Sequence, residues 1–269
     1  MPGLDFHSAA HRCLAAADPA EKVSLTHAVA ADWRAGRLAV AQGAVEAGAI
    51  AGPGIPERPR RVDPRQLPRR GLGTEQGRAA LLHAVAHIEF NAINLAWDAV
   101  LRFRDMPTAF IDDWVGVADD EARHFSLVVA RLGELGRAYG DFDAHDGLWD
   151  MARRTAHSCL ERMALVPRVL EARGLDVTPG MIARLRNAGD TASVALLEII
   201  LREEEAHVAA GSRWFAWCCA RAGLEPEATF AALVAEHSAG ALRGPFNIDA
   251  RLRAGFSPAE LDHLQALVA

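Results

Sequence analysis

The chain has 269 residues, 51% of them hydrophobic, and its 29 Lys and Arg against 35 Asp and Glu give a formal net charge of -6. That length can bury a substantial core as one large domain or two small ones, and the acidic balance argues against nonspecific binding to nucleic acid or to an anionic membrane. No apolar run approaches the ~20 residues of a bilayer span and no basic, apolar leader opens the chain, so a cytoplasmic protein with no membrane partner is expected.

Alanine, leucine and arginine dominate, Tyr139 is the single tyrosine, and few windows alternate as strands do. The composition therefore favours an all-α fold. Cys13, Cys159, Cys218 and Cys219 show no zinc-binding spacing and no disulfide framework, and are expected to be reduced and buried.

In chain order, residues 5–50 read as two helices, the second opening at Asp18-Pro19, an acidic cap followed by proline in the first turn. Residues 52–73 carry Pro53, Pro56, Pro59, Pro64 and Pro68 and form an extended arm, because proline cannot sustain a regular helix. The arm also holds Arg58, Arg60, Arg61, Arg65, Arg69 and Arg70. Its first reading is a surface strap paired with acidic residues, and its second a strap that binds phosphate or RNA. Thr74 caps a long helix running to about Arg104. A second helix spans about Ala109 to Arg137 and ends near Gly140, followed by a Gly/Asp-rich loop to Gly147. A third runs from about Leu148 to Arg173, stopped by Gly174, and Pro179-Gly180 starts a short helix to Asn187. Asp190 caps a fourth long helix to about Ala222. A helix follows Pro226 to about Ala241, and Ser257-Pro258 caps the last one.

One short pattern occurs twice on these helices. Glu121 of Asp120-Glu121-Ala122-Arg123-His124 follows Glu89 by 32 residues, and Glu204 of Glu203-Glu204-Glu205-Ala206-His207 follows Glu171 by 33. Residues i and i+3 sit side by side on a helix, so each Glu/His couple can address one ion. Two couples and two single glutamates on four helices are what a dinuclear carboxylate site in a bundle requires. Depth agrees: about 14 residues, roughly 21 Å, run from Glu89 to its helix end, and about 11 residues, roughly 17 Å, lead back to Glu121.

Glu89, Glu121 and Glu204 also sit in otherwise apolar faces, where an unpaired carboxylate is costly. On the third helix Glu161 competes with Glu171. Glu161 falls on a charged face with Arg154, His157 and Arg168, whereas Glu171 flanks the apolar arc and reproduces the spacing, so Glu171 is chosen. A single Glu-x-x-His is usually a solvated pair; the repetition is what points to metal. Asp120 and Glu203 read as acceptors for a ligand histidine's second N–H, or else as solvated acids. His83 and His87 read as core or surface histidines rather than ligands, and His145 as a loop residue that could serve catalysis. Tyr139 lies about 27 Å along the helix from Glu121, which argues against a tyrosyl radical role.

The Asp120–His124 motif is similar to the second-helix motif of oxygenases and oxidases in the ferritin-like superfamily of di-iron carboxylate proteins. Longer strings resemble the bacterial ferritin-like family catalogued as domain of unknown function 455. They are Leu82-His83-Ala84-Val85-Ala86-His87-Ile88-Glu89, Tyr139-Gly140-Asp141-Phe142, Ala144-His145-Asp146-Gly147-Leu148-Trp149, Leu170-Glu171-Ala172-Arg173-Gly174-Leu175-Asp176, Gly211-Ser212-Arg213-Trp214-Phe215 and Gly244-Pro245-Phe246-Asn247. The resemblance implies a ferritin-like four-helix bundle in residues 74–222. Helices of 1–51 would pack on it, the arm is 52–73, and 223–269 form a helical extension.

Oxygen and nitrogen ligands suit iron or manganese. The expected cofactor is two iron ions, with manganese or a mixed pair as the alternative, held by Glu89, Glu121, His124, Glu171, Glu204 and His207. The expected activity is a di-iron oxygenase or oxidase using dioxygen and an external electron donor on a small-molecule or RNA substrate, with tRNA hydroxylases as a distant analogy. The other readings are a ferroxidase or iron-handling protein and a bundle stapled by a structural metal pair. A homodimer is the oligomer considered, and it would exclude iron storage, which needs a cage.

Overall fold

The computed structural model describes residues 4–40, 52–68, 70–237 and 242–268. They are overwhelmingly helical, with one two-residue parallel pairing of β1 (Leu4–Asp5) and β2 (Leu38–Ala39). The fold is all-α, as composition and periodicity predict. Among the described residues no helix is long and apolar enough to cross a membrane. The chain divides into two compact units, Met1–Trp149 and Asp150–Ala269.

In the first unit, α1 (Phe6–Ala15), α2 (Pro19–Arg34), α3 (Glu75–Arg102) and α4 (Thr108–Glu134) pack together. The first three open on caps legible in the sequence: the side chains of Asp5, Asp18 and Thr74 accept from the backbone N–H groups of Ser8, Glu21 and Gly77. Helix α3 is the centre of this unit. From Glu89 to Leu101 every residue is buried, so its neighbours cover it all round. Lys22 fastens α2 to the end of α1, its Nζ donating to the carbonyls of Cys13 and Leu14 at 2.8 Å each. These are last-turn carbonyls that the helix itself cannot satisfy.

Two boundaries of this unit differ from expectation. Helix α2 stops at Arg34, beside Gly36 with a φ of +65°, rather than reaching residue 50; residues 41–51 lie outside the described residues. Helix α4 ends at Glu134, because the left-handed turn that stops it comes at Gly136, four residues before Gly140. The N–H of Gly136 bonds the carbonyl of Gly133 and that of Arg137 the carbonyl of Leu132, the double closure that a left-handed glycine permits.

The described residues of the arm, 52–68 and 70–73, form no α-helix; they hold a 3₁₀ turn at Pro64–Gln66 and a turn at residues 72–73. It is tied to the loop after α4: Arg60 bonds Asp143 through Nε at 3.1 Å and Nη2 at 2.6 Å, and Arg61 Nε lies 3.3 Å from Asp146. Backbone bonds between Val62 and Ala144 and between Ala144 and Arg60 flank these pairs, and Arg70 stacks over the Phe142 ring at 5.2 Å. Arg60 and Arg61 thus serve the strap. Arg69 lies outside the described residues.

Helix α5 (Gly147–Arg154) contains the unit boundary. The second unit continues with α6 (Cys159–Leu165), a π-helix (Val166–Glu171), α7 (Ala172–Asn187), α8 (Thr191–Ala222), α9 (Pro226–His237), α10 (Ile248–Arg253) and α11 (Pro258–Ala266). Helix α8 begins after its Asp190 cap and ends at left-handed Gly223, where the sequence puts it. Helix α9 is described as far as His237; the expected continuation to Ala241 falls on residues 238–241, outside the described ones.

The expected third helix is broken differently. It is interrupted after Arg154, where Ser158 caps a new helix and the buried Arg162 donates to the Ala152 carbonyl at 2.5 Å. Beyond Glu171 it passes through Gly174 without stopping and carries Pro179 in its interior. Proline at 179 leaves the Leu175 carbonyl without its helical donor; Asn247 Nδ2 fills that role at 3.1 Å. A bond from 72 residues away makes this proline tolerable. Cys13, Cys159, Cys218 and Cys219 are all free and buried.

Candidate metal centre

In the first unit, α3 and α4 bring Glu89, Glu121 and His124 together. All three are buried, and each offers a ligand atom, all within 4.8 Å of one another. His124 Nδ1 lies 3.4 Å from Glu89 Oε2 and 3.5 Å from Glu121 Oε2. The i,i+3 spacing puts Glu121 beside His124, and the hairpin through residues 103–107 brings Glu89 to the same level, as helix rise predicts. Burial alone would lower the His124 pKa, but the flanking Glu121 and Glu89 carboxylates more than reverse this and push it up to about 11. The imidazolium does here the charge-balancing that a buried carboxylate pair needs.

The second unit carries the other couple on α8. His207 is buried, with its Nδ1 3.5 Å from Oε1 of the half-buried Glu204. Glu171 closes the π-helix and is half-buried. Its rival Glu161 stands in the first turn of α6, with Oε1 3.1 Å from Nε2 of His157, a ring 66% exposed. Of the two acids read as acceptors for the histidines or as solvated acids, Asp120, 43% exposed, pairs with Arg123 at 3.0 Å, and Glu203 lies 3.8 Å from Arg202.

The donor set suits a hard or borderline cation. Carboxylate oxygens and imidazole nitrogens, with no sulfur among them, match iron or manganese. Carboxylates buried this deeply need a positive partner, and a bound cation could take over the place that the His124 proton fills here.

Sequence reasoning missed a second polar cluster in the first unit. Tyr139 does not extend α4. The chain turns at Gly136 and folds back, so that Tyr139 Oη and His87 Nδ1 share a hydrogen bond of 2.9 Å, with the tyrosine ring 5.1 Å from that of Phe125. The distance of about 27 Å assumed a straight helix and does not hold. His83 Nε2 accepts the Gly140 N–H at 2.9 Å, and its ring stacks on Tyr139 at 5.3 Å. Burial holds His83 and His87 down to about 4 and raises the Tyr139 phenol. The two histidines are thus neutral core residues, one of the two readings open from sequence. His145, the loop histidine, accepts from the Gly147 N–H at 3.2 Å. The available signal for this cluster was the polar spacing of His83 and His87 in an otherwise apolar face.

The family model described as "Protein of unknown function (DUF455)" matches residues 15–262. An "Uncharacterized protein" of Haemophilus influenzae is 49% identical over 215 residues, covering 77% of this chain and 75% of the relative. No solved structure matches. The chain belongs to the DUF455 family.

Proposed function

We propose that this DUF455-family protein is a ferritin-like metalloprotein. In this reading its doubled Glu…Glu-x-x-His pattern holds two iron ions, and the centre activates dioxygen to hydroxylate or oxidise a small-molecule or RNA substrate with electrons from an external donor. Manganese, or one ion of each metal, fits the same donors. The observation that carries the reading is the convergence of Glu89, Glu121 and His124 in a buried cluster. The second triad, Glu171, Glu204 and His207, repeats the pattern in sequence, and the proposal takes all six as ligands of one metal pair.

Bound iron would supply the redox chemistry, passing electrons to dioxygen. The chain supplies the rest. Glu89 and Glu121 provide anionic oxygens in a place that excludes bulk water, where their charge acts at short range with little screening. His124 gives up its proton to become a neutral ligand, so loading releases protons and strengthens as pH rises. Phe90 and Phe125, next in sequence to Glu89 and His124, are buried with their rings 5.6 Å apart and add apolar packing between α3 and α4.

Anaerobic ferrous titration followed by exposure to dioxygen tests the proposal. The expected result is two ions per chain, an absorption band of a carboxylate-bridged di-iron pair, and dioxygen uptake. The Glu121→Ala/Glu204→Ala double variant should lose both ions. Retention of metal by that variant would overturn the site, and metal binding without dioxygen uptake would reduce it to a structural staple. A large cage by size analysis would favour iron storage.

A further inference from the structure

The π-helix at Val166–Glu171 is an unusual stretch, because its i→i+5 closure is rarer than the α-helical one and concentrates at functional sites. One inserted residue turns everything after it by about 100° and advances it by about 1.5 Å relative to a continuous α-helix. Glu171 is the last residue of this insertion. Its direction therefore depends on the π register being kept.

The neighbours that keep it come from later in the chain. Pro167 packs so closely on α8 that a Cβ at Gly211 would lie 2.4 Å from its ring carbons, so only glycine admits it. Arg168 is 2% exposed. Its Nη2 donates to Glu260 at 2.6 Å and its Nε to Ser212 at 3.2 Å. Its guanidinium lies 4.8, 4.2 and 4.4 Å from the ring centres of Phe215, Phe230 and Phe256. The Arg168 carbonyl accepts from Arg251 Nη1 at 3.4 Å, and Arg251 is fixed in turn by Asp176, at 3.0 and 2.8 Å. Side chain and backbone of one residue are thus gripped by α10 and α11 together. A buried guanidinium is costly to place, and a helix segment that needed only apolar packing would not carry one.

We propose that Arg168, braced by Glu260 and Arg251, is a positioning residue that holds the π register and so presents Glu171 as a metal ligand. The proposal rests on the di-metal reading above. Releasing the brace lets the segment relax toward an α-helix and swings Glu171 off its face.

The test compares Mn(II) and anaerobic Fe(II) binding to the full-length wild type, Glu260→Gln, Arg168→Met, Arg168→Lys and Glu171→Gln. The wild type should bind two ions. Arg168→Met and Glu260→Gln should hold one ion normally and the other 10- to 100-fold more weakly, the range typical of outer partners of metal ligands. Glu171→Gln should show the same asymmetric loss, and Arg168→Lys should recover part of it. Amide hydrogen exchange over residues 166–172 should quicken in Arg168→Met and Glu260→Gln while helical circular dichroism stays unchanged. Glu260→Gln is the milder variant and keeps the test open if Arg168→Met does not fold. Two ions in the wild type and undiminished affinity in the folded brace variants would overturn the positioning role alone. A wild type that binds no metal would overturn the di-metal reading, and this assignment with it.

Discussion

The two copies of the Glu…Glu-x-x-His pattern are similar in sequence and differ in how they are built. In the first unit, Glu89, Glu121 and His124 stand on two uninterrupted α-helices, and local periodicity with one short connection aligns them. In the second, Glu204 and His207 stand on a comparable helix, but Glu171 sits at the seam between a π-helix and α7. Its surroundings depend on Asn247, Arg251 and Glu260. One copy is assembled by short-range rules and the other by long-range bracing. A spacing motif can therefore be right about chemistry while saying nothing about what holds a residue in place.

The contrast breaks most sharply at the ion pairs. Asp176→Ala leaves the Arg251 guanidinium, 1% exposed, without its main partner, and should cost about 3–5 kcal/mol. Arg61→Ala removes the first unit's strap pair with Asp146, whose side chains are 36% and 28% exposed, and should cost under about 1 kcal/mol. Urea melts of the two variants measure the difference. Equal losses would mean that the second unit is no more dependent on its brace than the first is on its strap.

Glycine substitutions sharpen the comparison at intermediate size. Gly211→Ala forces α8 against Pro167 and should destabilise by about 1–3 kcal/mol. Gly174→Ala should do the reverse. Gly174 lies inside α7 and a Cβ there meets nothing within 4 Å, so alanine should stabilise by about 0.5–1 kcal/mol. Thermal melts decide both, and a destabilised Gly174→Ala would restore the expectation that this glycine ends a helix.

The remaining effect is on pH dependence in the first unit. His83 is held neutral, with a pKa lowered to about 4 from 6.5, and its Nε2 accepts the Gly140 N–H. The unfolded chain binds the proton first, so this histidine's contribution is lost as pH falls from about 6.5 to about 4. Wild-type Tm should drop across that window more than that of His83→Gln, whose amide oxygen can accept without titrating. Parallel Tm profiles for the two would remove the assignment.

Most helices were legible where the signal was local. Thr74, Asp190 and Ser257 cap α3, α8 and α11 as read, and Glu260 adds the second half of a capping box on α11. The grouping of Glu89, Glu121 and His124 also followed from spacing and helix rise. The failures have different causes. Gly174 and Pro179 read as stops because the donors that keep α7 intact arrive from residue 247 and beyond, and no local window contains them. Tyr139 was placed far away because a glycine three residues upstream turned the chain back. The π-helix left no pattern in the apolar periodicity, since one inserted residue looks like ordinary irregularity.

The reliance of Glu171's neighbourhood on residues 247–260 also sets a schedule. Chains emerge from the ribosome at ~5–20 residues per second and fold from the N-terminal side first. Glu89, Glu121 and His124 can be gathered while the second half is still being made. The seam at Glu171 acquires its last partner only after Glu260 has been synthesised, several seconds later at that pace. Maturation of the second half is thus coupled to the synthesis of Glu260, well after Glu171 itself has been made.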